Sequence, residues 1–324
     1  MLDLPAIALT TLHFITANVA VGGPFLALWL YRRAGRRHDA AADVLGRQIL
    51  RVSLITLYVA TAAGALAAYV WWNSAPTAVA RAFRALPRSR YEFGAAELII
   101  SAVCYEVWLR MWRTQSPRRT LAWWIGLFGA TNVAYHFPTL FTMLSVLSTR
   151  PLDAGTELRF VALLGDREVL ARITHFLLAS LAVAGAVLMW LAAAMKTNNP
   201  ESEAARQGWQ TAGARLALVP TLLQWPVGIL VLLTLPDASR DALLGDDVPT
   251  AAMFGLSLAT VVALMHALAV PAFGRATRRE VSLALVWLGI TIVLMTAVRQ
   301  YSRKPFYPAA TEQARSVVVA RSLS

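Results

Sequence analysis

The sequence predicts an all-α integral membrane bundle of about eight transmembrane helices, and three observations carry the prediction. Only 15% of the 324 residues are charged and 57% are hydrophobic, whereas a soluble domain carries roughly 25% charged residues. The apolar residues gather into runs long enough to cross a bilayer core of roughly 30 Å, which takes about 20 helical residues. Short polar connections rich in arginine separate those runs. A single transmembrane domain over residues 1–308 is expected, followed by a short polar tail, 309–324.

The runs follow one another along the chain. The first spans roughly 6–31 and stops at Arg32 and Arg33; Arg36, Arg37, Arg47 and Arg51 separate it from the second, 52–73. The third and fourth, 93–113 and 120–148, flank Arg110, Arg113, Arg118 and Arg119. The fifth and sixth, 169–195 and 211–235, flank Lys196, Arg206 and Arg215; the seventh and eighth, 250–273 and 280–299, flank Arg275, Arg278 and Arg279. Acids dilute the even-numbered connections: Asp153, Glu157 and Asp166 in one, Asp237, Asp241, Asp246 and Asp247 in another. Basic connections face the cytoplasm, so both termini are expected in the periplasm. Arg81, Arg84, Arg88 and Arg90 between the second and third runs weigh against that orientation. The amphipathic segments VARAFRAL and ELRFVALL predict short interfacial helices, and Pro220 and Pro226 predict a kink in the sixth run. The N-terminus, MLDLPAIALTTLHF, lacks the basic start and cleavage site of a signal peptide, so the first run is expected to stay as a helix.

Several function classes are excluded. The net charge of +12 lies between apolar runs, not clustered on a soluble face as a nucleic-acid binder requires. Cys104 is the one cysteine, so the chain forms no internal disulfide, and without a CxxCH it attaches no c-type haem. No phosphate-binding glycine loop, HExxH or nucleophile elbow occurs. Eleven tryptophans suit interfacial anchoring and cofactor packing equally.

Ionisable groups at membrane depth are expensive and raise a functional question. Four of the five histidines fall inside runs: His13, His136, His175 and His266, with His38 a solvated residue of the first connection. A lone intramembrane histidine is commonly a helix–helix hydrogen bond. Four in one bundle point to haem b, whose iron takes imidazole and whose flat ring needs close backbone approach. Gly22 and Gly23 follow His13, and Gly126 and Gly129 precede His136. By depth, His13 and His175 lie a turn or two from the outer surface, His136 near the middle and His266 deeper. Glu97 and Glu106 are nine residues apart on the third run, two and a half turns, so they face opposite sides. Glu97 suits a proton path or a haem propionate contact; Glu106 suits that or an i,i+4 pair with Arg110. Asn132 and Gln224 read as helix–helix contacts. Arg299, Arg303 and Lys304 suit propionates, an acidic partner or lipid snorkelling.

In order along the chain, LTTLHFITANVAVGGPFLALWLY, the AEL and YEV of the third run, GLFGATN, ARITHFLLASLAVAG and RQYSRKPFY resemble subunit I of the cytochrome bd quinol oxidases in a short, divergent form. The resemblance implies a bacterial inner-membrane protein in which His13 binds a haem, His175 binds the low-spin haem b, and Glu97 and Glu106 belong to a proton path. Departures stand beside it. Ala259 aligns where the family has a second, methionine ligand, and Val293 where it has the high-spin haem glutamate. Only residues 236–250 remain of the long quinol-binding loop. His136 and His266 have no counterpart.

These readings predict an electron-transfer subunit of a respiratory oxidoreductase complex with two haems b, His13 paired with His136 and His175 paired with His266, Met253 or Met143. It would carry electrons between quinone and a c-type cytochrome or periplasmic redox subunit, beside other membrane subunits and lipid. Two other readings remain open: a terminal quinol oxidase reducing dioxygen, and a haem-free anchor or transport subunit.

Overall fold

The computed structural model describes residues 4–74, 76–114, 118–150 and 159–306, and all regular structure among them is helical. The long helices are α1 (Leu4–Arg37), α2 (Ala40–Ser74), α4 (Arg88–Arg113), α5 (Arg119–Leu147), α7 (Arg167–Ala193), α8 (Pro200–Thr234), α10 (Val248–Phe273) and α11 (Arg278–Tyr301). Shorter ones lie at one end of the bundle: α3 (Pro76–Arg84), α6 (Phe160–Leu164), α9 (Asp237–Asp241), a π turn over Ala242–Asp246 and a 3-10 turn over Lys304–Phe306. The two amphipathic segments thus supply α3 and α6. The residues 309–324, with Asp153, Glu157 and Tyr307, lie outside the described residues.

Each expected run sits in one long helix. Six described helices, α1, α2, α7, α8, α10 and α11, are long and apolar enough to cross a membrane. The expected number of about eight is met in length but not in hydropathy. α4 carries Glu97, Glu106 and Arg110 along its run, and α5 has Asn132, His136 and Pro138 within its span.

Helices outrun their apolar stretches. α2 starts at Ala40, well before the run at 52, and meets α1 across His38 and Asp39. His38 takes a left-handed φ of 52°. Asp39 accepts a hydrogen bond from the Ala42 N–H (2.9 Å) and pairs with Arg33 (2.9 Å), which caps the new helix. α8 begins at Pro200 with a capping box between Asn199 and Ser202 and runs unbroken through Pro220 and Pro226.

Two lobes share α7. One core joins α1, α2, α4, α5 and α7 around Leu30, Leu45, Ile49, Tyr105 and Trp108; the other joins α7, α8, α10 and α11 around Met189, Leu264 and Leu268. A third cluster, with Met143, Leu147 and Val169, seats α3 and α6 on the ends of α5 and α7. Small residues set the helix spacing, as is common where lipid removes the hydrophobic drive for association. A Cβ on Gly213 would lie 2.5 Å from the Met189 backbone nitrogen, and one on Gly185 2.5 Å from that of Ala217, so α7 and α8 touch backbone to backbone. The glycines expected to leave room for a macrocycle are filled in the same way. Gly22 abuts the Ser180 carbonyl, Gly23 the Ser53 hydroxyl, Gly126 the Trp108 ring and Gly129 Cys104.

Candidate functional site: intramembrane histidines and an outer arginine cluster

His13 sits on α1 with its ring against α2. Nδ1 lies 2.9 Å from the Ala60 carbonyl oxygen, so Nδ1 carries the proton and Nε2 keeps the lone pair. Metal-bound histidines commonly have this arrangement, with the second ring nitrogen donating to a carbonyl or carboxylate. The ring rests on Gly64, where a Cβ would come within 2.7 Å of Cε1. Gly64 is therefore the glycine that matters to His13, and it lies one helix away from the glycines that follow His13 in sequence.

His175 on α7 faces α8. Its Nδ1 is buried without a hydrogen-bond partner, and its Nε2 is 3.5 Å from the Gln224 amide nitrogen. A Cβ on Gly228, one turn beyond Gln224, would lie 3.9 Å from His175 Cε1. A buried ring nitrogen without a partner is costly unless something satisfies it. Gln224 bridges α7 and α8 as expected, but it does so at the histidine itself. The helices of His13 and His175 are tied by Ser180, which donates to Asn18 Oδ1 at 2.8 Å.

His136 and Glu97 meet across α5 and α4: Nδ1 and Oε2 are 2.7 Å apart, with side chains 30% and 19% exposed. The approach lies off the hydrogen-bond direction, since Oε2 has no hydrogen bond. Asn132 fixes the register of these helices by donating to the Glu97 carbonyl (2.8 Å) and the Ser101 hydroxyl (2.9 Å). Glu106 instead pairs with Arg110 at 2.9 Å, the i,i+4 alternative. His266 lies on the exposed face of α10.

Among the described residues no hydrogen bond or ring contact joins one of these imidazoles to another, and no three His, Cys, Asp or Glu side chains form a metal-binding group. Met143 is buried in the cluster under α3 and α6, and Met253 packs with Ile7, Ala297 and Tyr301. Ala259 and Val293 both face outward. The buried polar positions of α10 and α11 are Thr250, Ser257, Thr260, Thr291 and Thr296, with the Thr291 hydroxyl 3.3 Å from that of Thr260.

One cluster was not visible in the sequence. Ser145, near the end of α5, receives three guanidinium groups: Arg172 and Arg299 reach its hydroxyl at 3.2 Å each, and Arg303 its carbonyl. Arg303, 8% exposed, also donates to Ser148 at 3.0 Å. Arg299 stacks 5.0 Å from the Phe14 ring, next in sequence to His13. Beside them Glu168, 3% exposed, pairs with Arg150 and Arg172. Arg150 also grips Asp166 with both terminal nitrogens, at 2.7 and 3.0 Å. Those bonds hold the Asp166 carboxyl below its ordinary pKa.

The fold and these groups define a class: a polytopic helical membrane protein with imidazoles buried between helices and a basic cluster at one end. No protein-family model and no curated protein matches the chain. Among solved structures, the bd oxidase from Geobacillus thermodenitrificans aligns with it at a TM-score of 0.73 and 15% identity, over 93% of this chain and 86% of that one. The chain therefore has a bd oxidase-like fold, the one its sequence motifs resemble.

Proposed function

We propose that this chain is a haem b-binding membrane subunit that passes electrons between the quinone pool and a redox partner at its outer surface. The observation that carries the reading is the His13 site, an imidazole whose Nδ1 is committed to the Ala60 carbonyl on a bd oxidase-like fold. His175, with its buried unpartnered Nδ1, is the second candidate ligand. His136 has Glu97 beside it, and His266 is the weakest candidate, because it lies on the exposed face of α10.

Bound haem would supply the one-electron redox step; the residues supply its setting. Ala60 fixes the His13 tautomer, and Gly64 lets the ring lie against α2. Arg172, Arg299 and Arg303 gather positive charge beside Phe14 and so offer a seat for propionates. Helix packing around Ser180 and Asn18 keeps water from the path between α1 and α7. We place both termini and the arginine cluster on the periplasmic side, with the partner, a c-type cytochrome or periplasmic subunit, docking there.

The likeness to a bd oxidase favours a second reading, dioxygen reduction by the same scaffold. Visible spectra of the purified protein, oxidised, reduced and reduced with CO, separate the alternatives. Sharp reduced b-type bands unmoved by CO support electron transfer. A CO shift supports the oxidase, and the lack of a Soret band leaves a haem-free anchor or transport subunit. His175→Ala is expected to remove one haem's absorbance; an unchanged haem-to-protein ratio would overturn that assignment.

A further inference from the structure

At the end of the bundle opposite the Ser145 cluster, the start of α2 and the end of α4 enclose a cleft of about 170 Å³ lined by Val44, Arg47, Gln48, Arg51, Leu109 and Arg113. Its walls are built by a chain of contacts. Trp112 packs on Gly46, where a Cβ would collide with the indole. The Trp112 Nε1–H donates to Asp43 Oδ1 at 2.8 Å, and Asp43 Oδ2 holds Arg47 at 2.8 Å. This arrangement brings Arg113, next to Trp112, against Arg47 and Arg51. Among the described residues neither Arg51 nor Arg113 has a carboxylate within ion-pair distance, and both are exposed.

Below the cleft the surface becomes apolar along α2 directly, and along α4 once past the turn that carries the Glu106–Arg110 ion pair. On α2, Arg51 is followed one and two turns on by exposed Ile55 and Tyr58; on α4, exposed Val103 and Ile99 lie about three and four turns before Arg113, beyond the Glu106–Arg110 ion pair. Guanidinium groups at the helix ends, followed by an apolar stripe, match an amphiphile with an anionic head and long chains. A basic pocket between transmembrane helices at the arginine-rich end is a known setting for anionic headgroups.

We infer that the α2–α4 cleft binds the phosphate of an anionic phospholipid, with Arg51 and Arg113 as its principal contacts, Arg47 held ready by Asp43, and the acyl chains lying on the stripe. A free soluble anion would use the arginines alone, whereas the lipid also covers Ile55, Tyr58, Val103 and Ile99. The inference is independent of whether haem is bound.

The test uses the full chain, purified in mild detergent and delipidated, with lipid binding followed by native mass spectrometry and by thermal melting. Phosphatidylglycerol is expected to bind and raise the melting temperature, with phosphatidylcholine of the same chains at least about tenfold weaker. Arg51→Gln with Arg113→Gln should weaken phosphatidylglycerol by about fivefold per arginine and leave the lipid-free melting temperature unchanged. Arg51→Lys with Arg113→Lys should retain most of the binding. Inorganic phosphate should fail to displace the lipid. Equal binding of the two lipids, a glutamine double variant that binds like wild type, full displacement by phosphate alone, or a co-purifying protein subunit that covers the cleft would each overturn the assignment.

Discussion

At His13 two contacts from one neighbouring helix act on a single ring: the Ala60 carbonyl sets which nitrogen bears the proton, and Gly64 sets how near the ring lies. Gly64→Ala puts a methyl carbon within 2.7 Å of the imidazole, so the ring or α2 must move. Overpacking of this kind costs about 1–3 kcal/mol. Thermal melting in detergent should register that loss, and the spectrum of any bound haem should change with it; a variant that melts and absorbs like wild type would mean His13 does not depend on this contact. His38 is a different residue-scale case, since its φ of 52° burdens a side chain where glycine carries no penalty. His38→Gly is expected to raise stability by up to about 1 kcal/mol, read as a higher melting temperature. The histidines themselves were legible in the sequence, because an ionisable residue inside an apolar run stands out. Gly64 and Ser145 were not, and Gln224 was legible only as a helix–helix contact and not as a neighbour of His175, because the importance of all three comes from other helices.

Among the elements, α7 holds the molecule together: it belongs to both lobes, starts at a charged cap and touches α8 backbone to backbone. Asp166 caps it by accepting from the N–H groups of Glu168 (3.0 Å) and Val169 (3.2 Å) while Arg150 holds its charged form. The carboxyl's folded pKa lies below its unfolded value, which is about 3.9. Its stabilisation is therefore complete above that value and is lost as pH falls through the folded pKa. Asp166→Asn keeps a capping side chain but loses the ion pair, and Asp166→Ala loses both, at about 1 kcal/mol for the cap. The melting difference between wild type and Asp166→Ala should be full at pH 6 and shrink below pH of about 4; a difference independent of pH would remove the ion pair from the account. Gly213→Val meets the Met189 backbone, which cannot step aside as a side-chain end can. It should separate α7 from α8 and reduce the yield of folded protein, measured as the monodisperse fraction after extraction. Element boundaries were the least legible feature, because α1, α2 and α8 continue as helix beyond the apolar residues that announce them.

For the whole molecule, the connections after α1, α4, α7 and α10 lie at one end and the short helices α3, α6 and α9 at the other, where α3 also carries Arg81 and Arg84. The proposed orientation can be tested through the single native cysteine. With Cys104→Ala as background, a cysteine replacing Arg36 should resist a membrane-impermeant maleimide in intact cells, and one replacing Asp237 should react. The reverse pattern would invert the topology and move the arginine cluster to the cytoplasmic side. Two lobes joined through α7 also mean that disruption of one core, at Trp108 for example, should propagate to the other through a shared helix.

Hydropathy and charge placement, read from the sequence alone, determined the helical class, the position of each long helix and the presence of costly imidazoles within apolar runs, because the bilayer acts on segments of about 20 residues. Tertiary structure alone decided what each imidazole touches. His13 is set by Ala60 and Gly64, His175 by Gln224, and His136 by Glu97, whereas His266 is turned outward. It also spent the glycines beside His13 and His136 on helix contacts and gathered Arg172, Arg299 and Arg303 on Ser145. The reason is physical: membrane depth depends on position along one helix, but hydrogen bonds and packing depend on rotation and spacing between helices, which no single segment encodes.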